Sequence, residues 1–465
     1  MAQTDRSITD APDPVAAVFA GVSFSQALKF WLKLGFISFG GPAGQIAIMH
    51  RELVEQKRWI SEKRFLHALN YCMLLPGPEA QQLATYMGWL MHRTWGGVVA
   101  GVLFVLPSLF ILVALSWIYL VYGSQPLVAG LFYGIKPAVA AIVVQAVQRI
   151  GSRSLKTPGQ RPLLWAVAVA SFVLIYFFKV PFPWLVLAAA LVGWVGSRYL
   201  PAQFAGGAGH DSAASAHGPA LIDDHTPTPE HARFKPARLA RVLAAGALLW
   251  LLPMTWLFFA RGGSDTLTQM GWFFTKAALL TFGGAYAVLP YVYQGAVEQF
   301  QWVTAVQMID GLALGETTPG PLIMVVAFVG FVGGWGQQVL GPDHLFAGAA
   351  LAALLVTWFT FLPSFLFILA GGPLVESSHG KLQFTAPLAA ITAAVVGVIA
   401  SLALFFIAVV AYPASTGGIS SAKPDVAALL LAGLALLALL RYKAGVIPVI
   451  LASGVAGLLI KQAGF

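Results

Sequence analysis

FWLKLGFISFGGPAG, at residues 30–44, and FFTKAALLTFGGAYA, at residues 273–287, are two versions of one stretch of sequence. They align without gaps at an offset of 243 residues, which places Lys33 opposite Lys276 and one FGG motif opposite the other. Self-similarity at a fixed offset is the signature of an internal repeat. We therefore predict that the chain contains one structural unit twice.

The same offset continues downstream of both stretches. The matching positions are Trp59 and Trp302, the PGP motifs at 76–78 and 319–321 and, after an insertion in the second copy, the LPS motifs at 106–108 and 362–364. The predicted parts are a tail (1–23), a first repeat (24–200), a linker (201–241) and a second repeat (242–465). The linker is rich in Ala, Gly, Pro and His, which favours a flexible connection. Metal binding is the alternative for its histidines, but their spacing fits no known site, so no metal or cofactor is expected.

The composition indicates a membrane protein. Of the 465 residues, 58% are hydrophobic and only 10% are charged, whereas soluble proteins carry about 25% charged residues. Apolar blocks such as 98–122 and 390–411 reach the ~20 residues that cross a ~30 Å hydrocarbon core. The net charge of +9 lies in short loops between such blocks, where the positive-inside rule explains it without a nucleic-acid partner. The single cysteine, Cys72, lies in an apolar segment and excludes an intramolecular disulfide.

The basic loops predict a topology. Lysine and arginine are concentrated at 51–64, at 149–161, in the linker and at 441–443, so these regions and the N-terminus are expected in the cytoplasm. The first two loops share that side only if 65–91 is re-entrant and turns at its PGP motif. An odd number of full crossings then precedes the second repeat, which makes the two repeats inverted. The alternative is that every apolar block simply spans the membrane.

The expected fold is an all-α polytopic membrane protein with two inverted-topology repeats. We expect about nine full crossings and about four re-entrant segments broken at the FGG and PGP motifs. Secondary transporters often combine inverted repeats with broken helices and bind the substrate near the bilayer midplane. Irregular backbone at that depth is tolerated where it is buried in protein or lines a cavity.

The helix breaks supply candidate binding residues. Proline is favoured at the first helical position, so Pro42, Pro78 and Pro321, each after a glycine, predict half-helices that begin at depth. Free N–H groups and the helix dipole favour an anion there, and a close helix crossing is the alternative reason for the glycines. Lysines within apolar segments are functional candidates unless they snorkel to the interface. The candidate substrate-binding residues are Lys33, Ser38, Gly40, Gly41, Gln45, Gly77, Gln81, Gln82, Lys276, Thr281, Gly283, Gly284, Thr317, Thr318 and Gly320.

Two smaller groups complete the candidate site. A carboxylate in the first turn of a half-helix, such as Glu79, either caps the helix or titrates a proton. The candidate proton-coupling residues are Glu79, Glu316 and Asp310. Residues at the cytoplasmic loops form either an entrance funnel for anions or ordinary positive-inside charges. These funnel candidates are His50, Arg51 and Arg93.

These motifs resemble those of the chromate ion transporter family in its long, two-domain form. The resemblance rests on FGGPAGQIAIMH from residue 39, LLPGPEAQQLATYMGW from 74, TFGGAYAVLPYV from 281 and GETTPGPLIMVVAFVGF from 315. It implies chromate efflux across the bacterial inner membrane, sulfate as a related oxyanion, and coupling to the proton-motive force. The second repeat departs from the first, with Ala285 in place of Pro42 and Leu322 in place of Glu79. The two repeats are therefore expected to contribute unequally.

Other functions stay open at this point. A sulfate importer, a channel and a lipid scramblase require no additional motif. An enzyme is not expected, because the sequence has no nucleophile elbow, HExxH motif, P-loop or dinucleotide fingerprint. The expected partners are a small oxyanion and the lipid bilayer, and the oligomeric state is open, a homodimer included.

Overall fold

The computed structural model describes residues 22–39, 41–155, 157–204, 220–224, 226–227, 229–282, 284–378, 385–412 and 423–463. Several predicted features lie outside these ranges. They are the tail up to residue 21, most of the linker with His210, His217 and His225, and the candidate residues Gly40 and Gly283.

Helices account for nearly all of the described chain. The first half contains α1 (Phe24–Ile37), α2 (Gly41–His50), α3 (Glu62–Leu74), α4 (Glu79–Tyr122), α5 (Pro126–Ser154), α6 (Pro162–Tyr176), α7 (Phe182–Tyr199) and α8 (Pro201–Phe204). The second half contains α9 (Pro236–Arg261), α10 (Thr266–Leu280), α11 (Ala285–Tyr293), α12 (Ala305–Thr317), α13 (Val325–Gly336), α14 (Leu345–Ser378), α15 (Thr385–Ala411), α16 (Val426–Leu440) and α17 (Val446–Gln462). A 3₁₀ turn, Leu322–Met324, precedes α13. The FGG motifs therefore separate α1 from α2 and α10 from α11, and the PGP motifs separate α3 from α4 and α12 from α13.

Corresponding elements of the two halves begin and end 243 residues apart. The pairs are α3 with α12, the π-helical turn Arg51–Gln56 with Gln294–Gln299, and the left-handed residues Arg58 (φ 51°) with Gln301 (φ 53°). The residues whose side chains cap α3 and α12, Ser61 and Thr304, correspond as well. The shared sequence pattern is therefore accompanied by shared local structure.

Helix α4 reverses direction soon after it begins. His92 (φ −133°) and Arg93 (φ 58°) have non-helical backbone angles and separate a first arm, 79–91, from a second arm, 94–122. The arms pack so closely that a Cβ on Gly88 would lie 2.4 Å from the carbonyl oxygen of Gly96. At 1.5 Å per residue the first arm is about 20 Å long, shorter than a ~30 Å hydrocarbon core. The segment after the first PGP motif is thus a half-helix that folds back beside the long arm.

The described chain has the composition and surface of a membrane protein. Five of its helices are long and apolar enough to cross a membrane, by length and composition: Glu79–Tyr122, Pro126–Ser154, Pro236–Arg261, Pro342–Glu376 and Ala386–Ala411. Large apolar side chains are exposed to the surroundings, and Phe259 is 84% exposed. Such a surface suits lipid rather than water. The helices are consistent with the predicted all-α polytopic membrane protein.

The broken helices of each half pack against the long helix of the other. α4 contacts both α13 and α14. Within the halves, α1 packs on α4 and α10 packs on α14, so these contacts correspond too. Helix α5 contacts α15, α16 and α17 of the second half. The two halves are therefore joined over much of their length.

The described part of the linker is docked on the first half. Ile222 is fully buried and forms a parallel β-bridge with Ile60. The Ser61 amide donates to the Ile222 carbonyl oxygen (3.0 Å). Further along, His231 Nε2 donates to the carbonyl oxygen of Trp89 (3.0 Å), and burial lowers the pKa of its imidazole. The expected flexible connection is wrong for this segment, because backbone pairing and a buried isoleucine hold it in place.

Candidate functional site

The helix breaks of the two halves are hydrogen-bonded to each other. The Gly77 amide donates to the carbonyl oxygen of Thr281 (2.7 Å), and the Gly320 amide donates to that of Ser38 (2.8 Å). The two glycines occupy the same position of the PGP motif, and Ser38 and Thr281 occupy the same position before the FGG motif. The two bonds are therefore equivalent, and each half completes a break in the other.

Both of these glycines have backbone angles that other residues rarely adopt. Their φ values are +125° at Gly77 and +110° at Gly320. A Cβ on Gly320 would lie 2.7 Å from the Cβ of Ser108, and one on Gly77 would lie 2.4 Å from the hydroxyl of Ser364. Ser108 and Ser364 end the two LPS motifs. The PGP motif of each half therefore faces the LPS motif of the other.

Several polar atoms buried at this junction have no hydrogen-bond partner among the described residues. They include the Ser38 and Ser108 hydroxyls and the amide oxygens of Gln45 and Gln82, on side chains no more than 1% exposed. The Gln45 amide nitrogen donates to the carbonyl oxygens of Ser38 (3.3 Å) and Gly320. A buried polar group without a partner costs about 1–3 kcal/mol. A cluster of them is the environment expected for a polar ligand.

Gln81 and Gln82 lie in the first arm of α4, next to the break. The Gln82 amide nitrogen donates to the Pro76 carbonyl oxygen (2.8 Å) and lies 3.5 Å from the Ser364 hydroxyl. The Gln81 amide nitrogen donates to the Thr85 hydroxyl (3.0 Å), and the side chains of both glutamines are fully buried. The first PGP turn is therefore surrounded by polar groups from both halves.

Three of the helical segments that start at the junction have no capping side chain. This holds for α4 after Pro78, for α11 after Gly284 and for the 3₁₀ turn after Pro321. By contrast, the side chains of Ser23 and Ser61 cap α1 and α3. Uncapped first-turn amides and the positive end of a helix dipole favour an anion. The hydrogen-bond donors around Gly77 and Gly320 are thus hydroxyl and N–H groups rather than lysine or arginine side chains.

The two predicted lysines lie on the surface, away from the junction. The Lys33 side chain is 61% exposed, with its Nζ 3.7 Å from a carboxylate oxygen of Glu52. Lys276 is also exposed, and its Nζ is 5.9 Å from the ring centre of Trp272. α1 buries Phe30 and Leu34, so Lys33 projects from its other side. Lys29, one helical turn before Lys33, was the available signal, because two lysines on one side of a helix indicate an exposed face.

The predicted carboxylates of the second half are buried and partnered. Asp310 is 1% exposed and accepts a hydrogen bond from the Tyr119 hydroxyl (2.9 Å), while Lys136 Nζ lies 3.6 Å away. Glu316 is 8% exposed and accepts a hydrogen bond from the Tyr286 hydroxyl. Glu79, in the first half, is half-buried in the first turn of α4.

Sequence reasoning also missed the largely buried carboxylate of Glu376. Glu376, near the end of α14, accepts a hydrogen bond from the Tyr86 hydroxyl (2.5 Å) and lies 3.7 Å from an Arg64 guanidinium nitrogen. Its side chain is 10% exposed. The available signal was its position, because it is the only acidic residue in the long apolar stretch 345–378.

The remaining candidates have other roles. The hydroxyls of Thr281, Thr317 and Thr318 donate to carbonyl oxygens of their own helices, at 2.7 to 3.2 Å. Gly41 (φ +69°) and Gly284 (φ +94°) occur at the FGG breaks. Among the funnel candidates, Arg51 and Arg93 are exposed, and His50 lies 3.1 Å from Glu55 and 2.7 Å from Glu62. The histidine is therefore engaged by carboxylates rather than free to attract an anion.

Comparison with known proteins gives one consistent result. The family "Chromate transporter" matches the chain in two parts, residues 25–194 and 268–458. A chromate transport protein of Pseudomonas aeruginosa is 34% identical over 98% of this chain and 95% of its own length. One from Cupriavidus metallidurans is 31% identical over 84% of this chain and 86% of its own length. No solved structure matches the chain. Together, the family match and these two relatives place the chain in the chromate transporter family.

Proposed function

We propose that this protein transports chromate and that the anion binds at the junction where the broken helices of the two halves meet. The observation that carries the proposal is the pair of buried, unpartnered hydroxyls of Ser38 and Ser108, which are free to donate to an anion beside the paired bonds of Gly77 and Gly320. Chromate is a tetrahedral dianion whose oxygens accept hydrogen bonds from several directions. Serine hydroxyls and helix-start amides supply such donors. The named function of the relatives supports chromate as the substrate.

We also infer that the two halves are inverted repeats. The support is the set of elements spaced 243 residues apart and the two equivalent hydrogen bonds that join the halves. The basic loops then orient the protein in the bacterial inner membrane with the N-terminus and linker in the cytoplasm. A site between inverted repeats, near the midplane, is suited to alternating access from the two sides.

The membrane potential favours export of an anion. Moving one charge across 100 mV is worth ~2.3 kcal/mol, so an exported dianion gains about 4.6 kcal/mol from an inside-negative potential. At ~1.4 kcal/mol per decade this supports roughly a 2,000-fold gradient. Export driven by the proton-motive force is therefore feasible and would confer chromate resistance. Asp310, Glu316 and Glu79 are the carboxylates proposed to exchange protons during transport.

Everted inner-membrane vesicles test this function directly. Vesicles that contain the protein should accumulate labelled chromate when energised, because their interior becomes positive, and uptake should saturate and stop on adding an uncoupler. Vesicles without the protein are the control. Accumulation of labelled sulfate in right-side-out vesicles on imposing a proton gradient would instead indicate an importer. Flux that neither saturates nor responds to sulfate or molybdate would indicate a channel.

The surface position of the lysines leads to a separate prediction. Lys33→Ala and Lys276→Ala should change the KM for chromate by less than about fivefold, because both side chains lie on the surface rather than among the buried groups of the junction. The measurement is the initial rate of chromate uptake into everted vesicles at a series of concentrations. If either variant raised the KM tenfold or more, the lysines would belong to the binding site after all.

A further inference from the structure

Two buried clusters join the halves at places that chromate binding leaves unexplained. In the first, Tyr86 and Arg64 of the first half hold Glu376 of the second, at 2.5 and 3.7 Å. In the second, Tyr119 and Lys136 of the first half hold Asp310 of the second, at 2.9 and 3.6 Å. Each cluster thus combines a carboxylate, a tyrosine hydroxyl and a cation. In both, the carboxylate comes from one half and its partners come from the other.

The clusters lie at opposite ends of the long arm of α4. Tyr119 is close to the end of this arm, which reaches Tyr122. Tyr86, on the first arm, lies beside the start of the long arm, since a Cβ on Gly97 would be 2.9 Å from the carbonyl oxygen of neighbouring Thr85. Positions 97 and 119 are 22 residues apart, or about 33 Å along a helix, close to the thickness of a hydrocarbon core.

Ser108, a residue of the proposed binding site, lies midway between the clusters along this arm. Ser108 is 11 residues from position 97 and 11 residues from Tyr119, which is about 16 Å in each direction along the helix. Both clusters are formed in this structure, so the halves are held together on both sides of the junction. Each cluster therefore lies between Ser108 and one end of the long arm.

We propose that these clusters are the two gates of the transport pathway, with Arg64–Tyr86–Glu376 at the linker side and Lys136–Tyr119–Asp310 at the other side. The inference rests on the proposed function, which it extends to named gating residues. An arriving oxyanion competes with the carboxylate for the cation, because arginine and lysine bind either group through charge-assisted hydrogen bonds. The substrate thereby loosens the contact between the halves at the end from which it arrives.

The linker supports the assignment of the first gate. Arg64 also donates to the carbonyl oxygen of Thr226, and the Ser61 hydroxyl donates to Asp224 (2.6 Å). The docked segment of the linker therefore contacts the same arginine that holds Glu376. This end is the cytoplasmic one in the proposed topology, so the first gate is the one that chromate meets before export.

The test measures access to the site rather than transport. Cys72 is buried and is first replaced by serine, and Ser108→Cys then provides a single reporter thiol. A membrane-impermeant maleimide is applied to everted and to right-side-out vesicles. Glu376→Gln should raise the labelling rate about tenfold or more in everted vesicles alone, because removing one member of a buried pair is strongly unfavourable. Asp310→Asn should do so in right-side-out vesicles alone.

Matched variants decide between gating and a general loss of structure. Glu230→Gln breaks an exposed ion pair with Lys235 (2.8 Å) and should leave both rates unchanged. Tyr86→Phe removes only one hydroxyl and should raise labelling from the linker side, which keeps the test decisive if Glu376→Gln does not fold. Equal increases in the labelling rate from both sides, or no increase in Glu376→Gln or Tyr86→Phe, would contradict the assignment of these clusters as gates. Because labelling needs no chromate, side-specific gating in a protein that fails to transport chromate would reject the proposed function alone.

Discussion

Gly320→Ala should reduce chromate uptake into everted vesicles by about a hundredfold or more while the protein still inserts in the membrane. The φ of +110° at Gly320 is strained for alanine, which costs about 1–3 kcal/mol. The added Cβ would also lie 2.7 Å from the Cβ of Ser108, and such overpacking costs about 1–3 kcal/mol more. Together these displace the amide that donates to Ser38. The initial rate, normalised to the amount of protein in the vesicles, is the measurement.

The matched control for this variant is Gly341→Ala. Gly341 also has a positive φ, +84°, but a Cβ there would meet no atom within 4 Å. Its replacement imposes backbone strain without a clash and should leave most of the uptake intact. Gly77→Ala should reduce uptake less than Gly320→Ala does. The added Cβ would meet only the ends of the Ser364 and Gln82 side chains, which can move. Full chromate uptake by Gly320→Ala, or an equal loss of uptake in Gly341→Ala and Gly320→Ala, would contradict the assigned junction.

Ser38→Ala and Ser108→Ala should each raise the KM for chromate about tenfold or more. A hydrogen bond to a charged group contributes about 1.5–3 kcal/mol, and ~1.4 kcal/mol corresponds to a factor of ten. Neither hydroxyl has a partner among the described residues, so its removal breaks no internal bond. The Tm of the purified protein should therefore stay the same or rise while the KM for uptake increases. This combination distinguishes a binding role from a structural one.

Ser116→Ala is the control for the serine variants. Ser116 is also buried and unpartnered among the described residues, and it lies on the same arm of α4. It is eight residues beyond Ser108, or about 12 Å along the helix, and so lies outside the junction. Its replacement should leave the KM unchanged. A KM for Ser108→Ala no higher than that for Ser116→Ala would remove Ser108 from the binding site.

Sequence reasoning reached the junction but misjudged some of its members. The breaks at FGG and PGP and the buried residues Ser38, Gln45 and Gln82 were identified from motifs, because proline and glycine act on the backbone locally. Lys33 was selected because a cation in an apolar segment is unusual, yet it lies on the exposed side of α1. The periodicity of α1 offered a correction that was not used, because Lys29 lies one turn before Lys33, away from the buried Phe30 and Leu34.

Glu376 was not predicted from the sequence for a different reason. It belongs to none of the repeated motifs, and its partner Arg64 precedes it by more than 300 residues. Arg64 itself was read as one of several loop charges that obey the positive-inside rule. Pairing between such distant residues depends on how α3, α4 and α14 pack, and no local pattern encodes it. The linker contact with Ile60 was missed for the same reason.

By itself, the sequence determined the protein's class, the positions of its helix breaks and the family resemblance, because hydropathy, proline and glycine act over short stretches of chain. Only the tertiary structure decided that Gly77 pairs with Thr281 and Gly320 with Ser38. It also decided which polar side chains face that junction and which carboxylates meet a cation. Those outcomes depend on contacts between residues that are far apart in the chain, and they are set by packing rather than by local propensity.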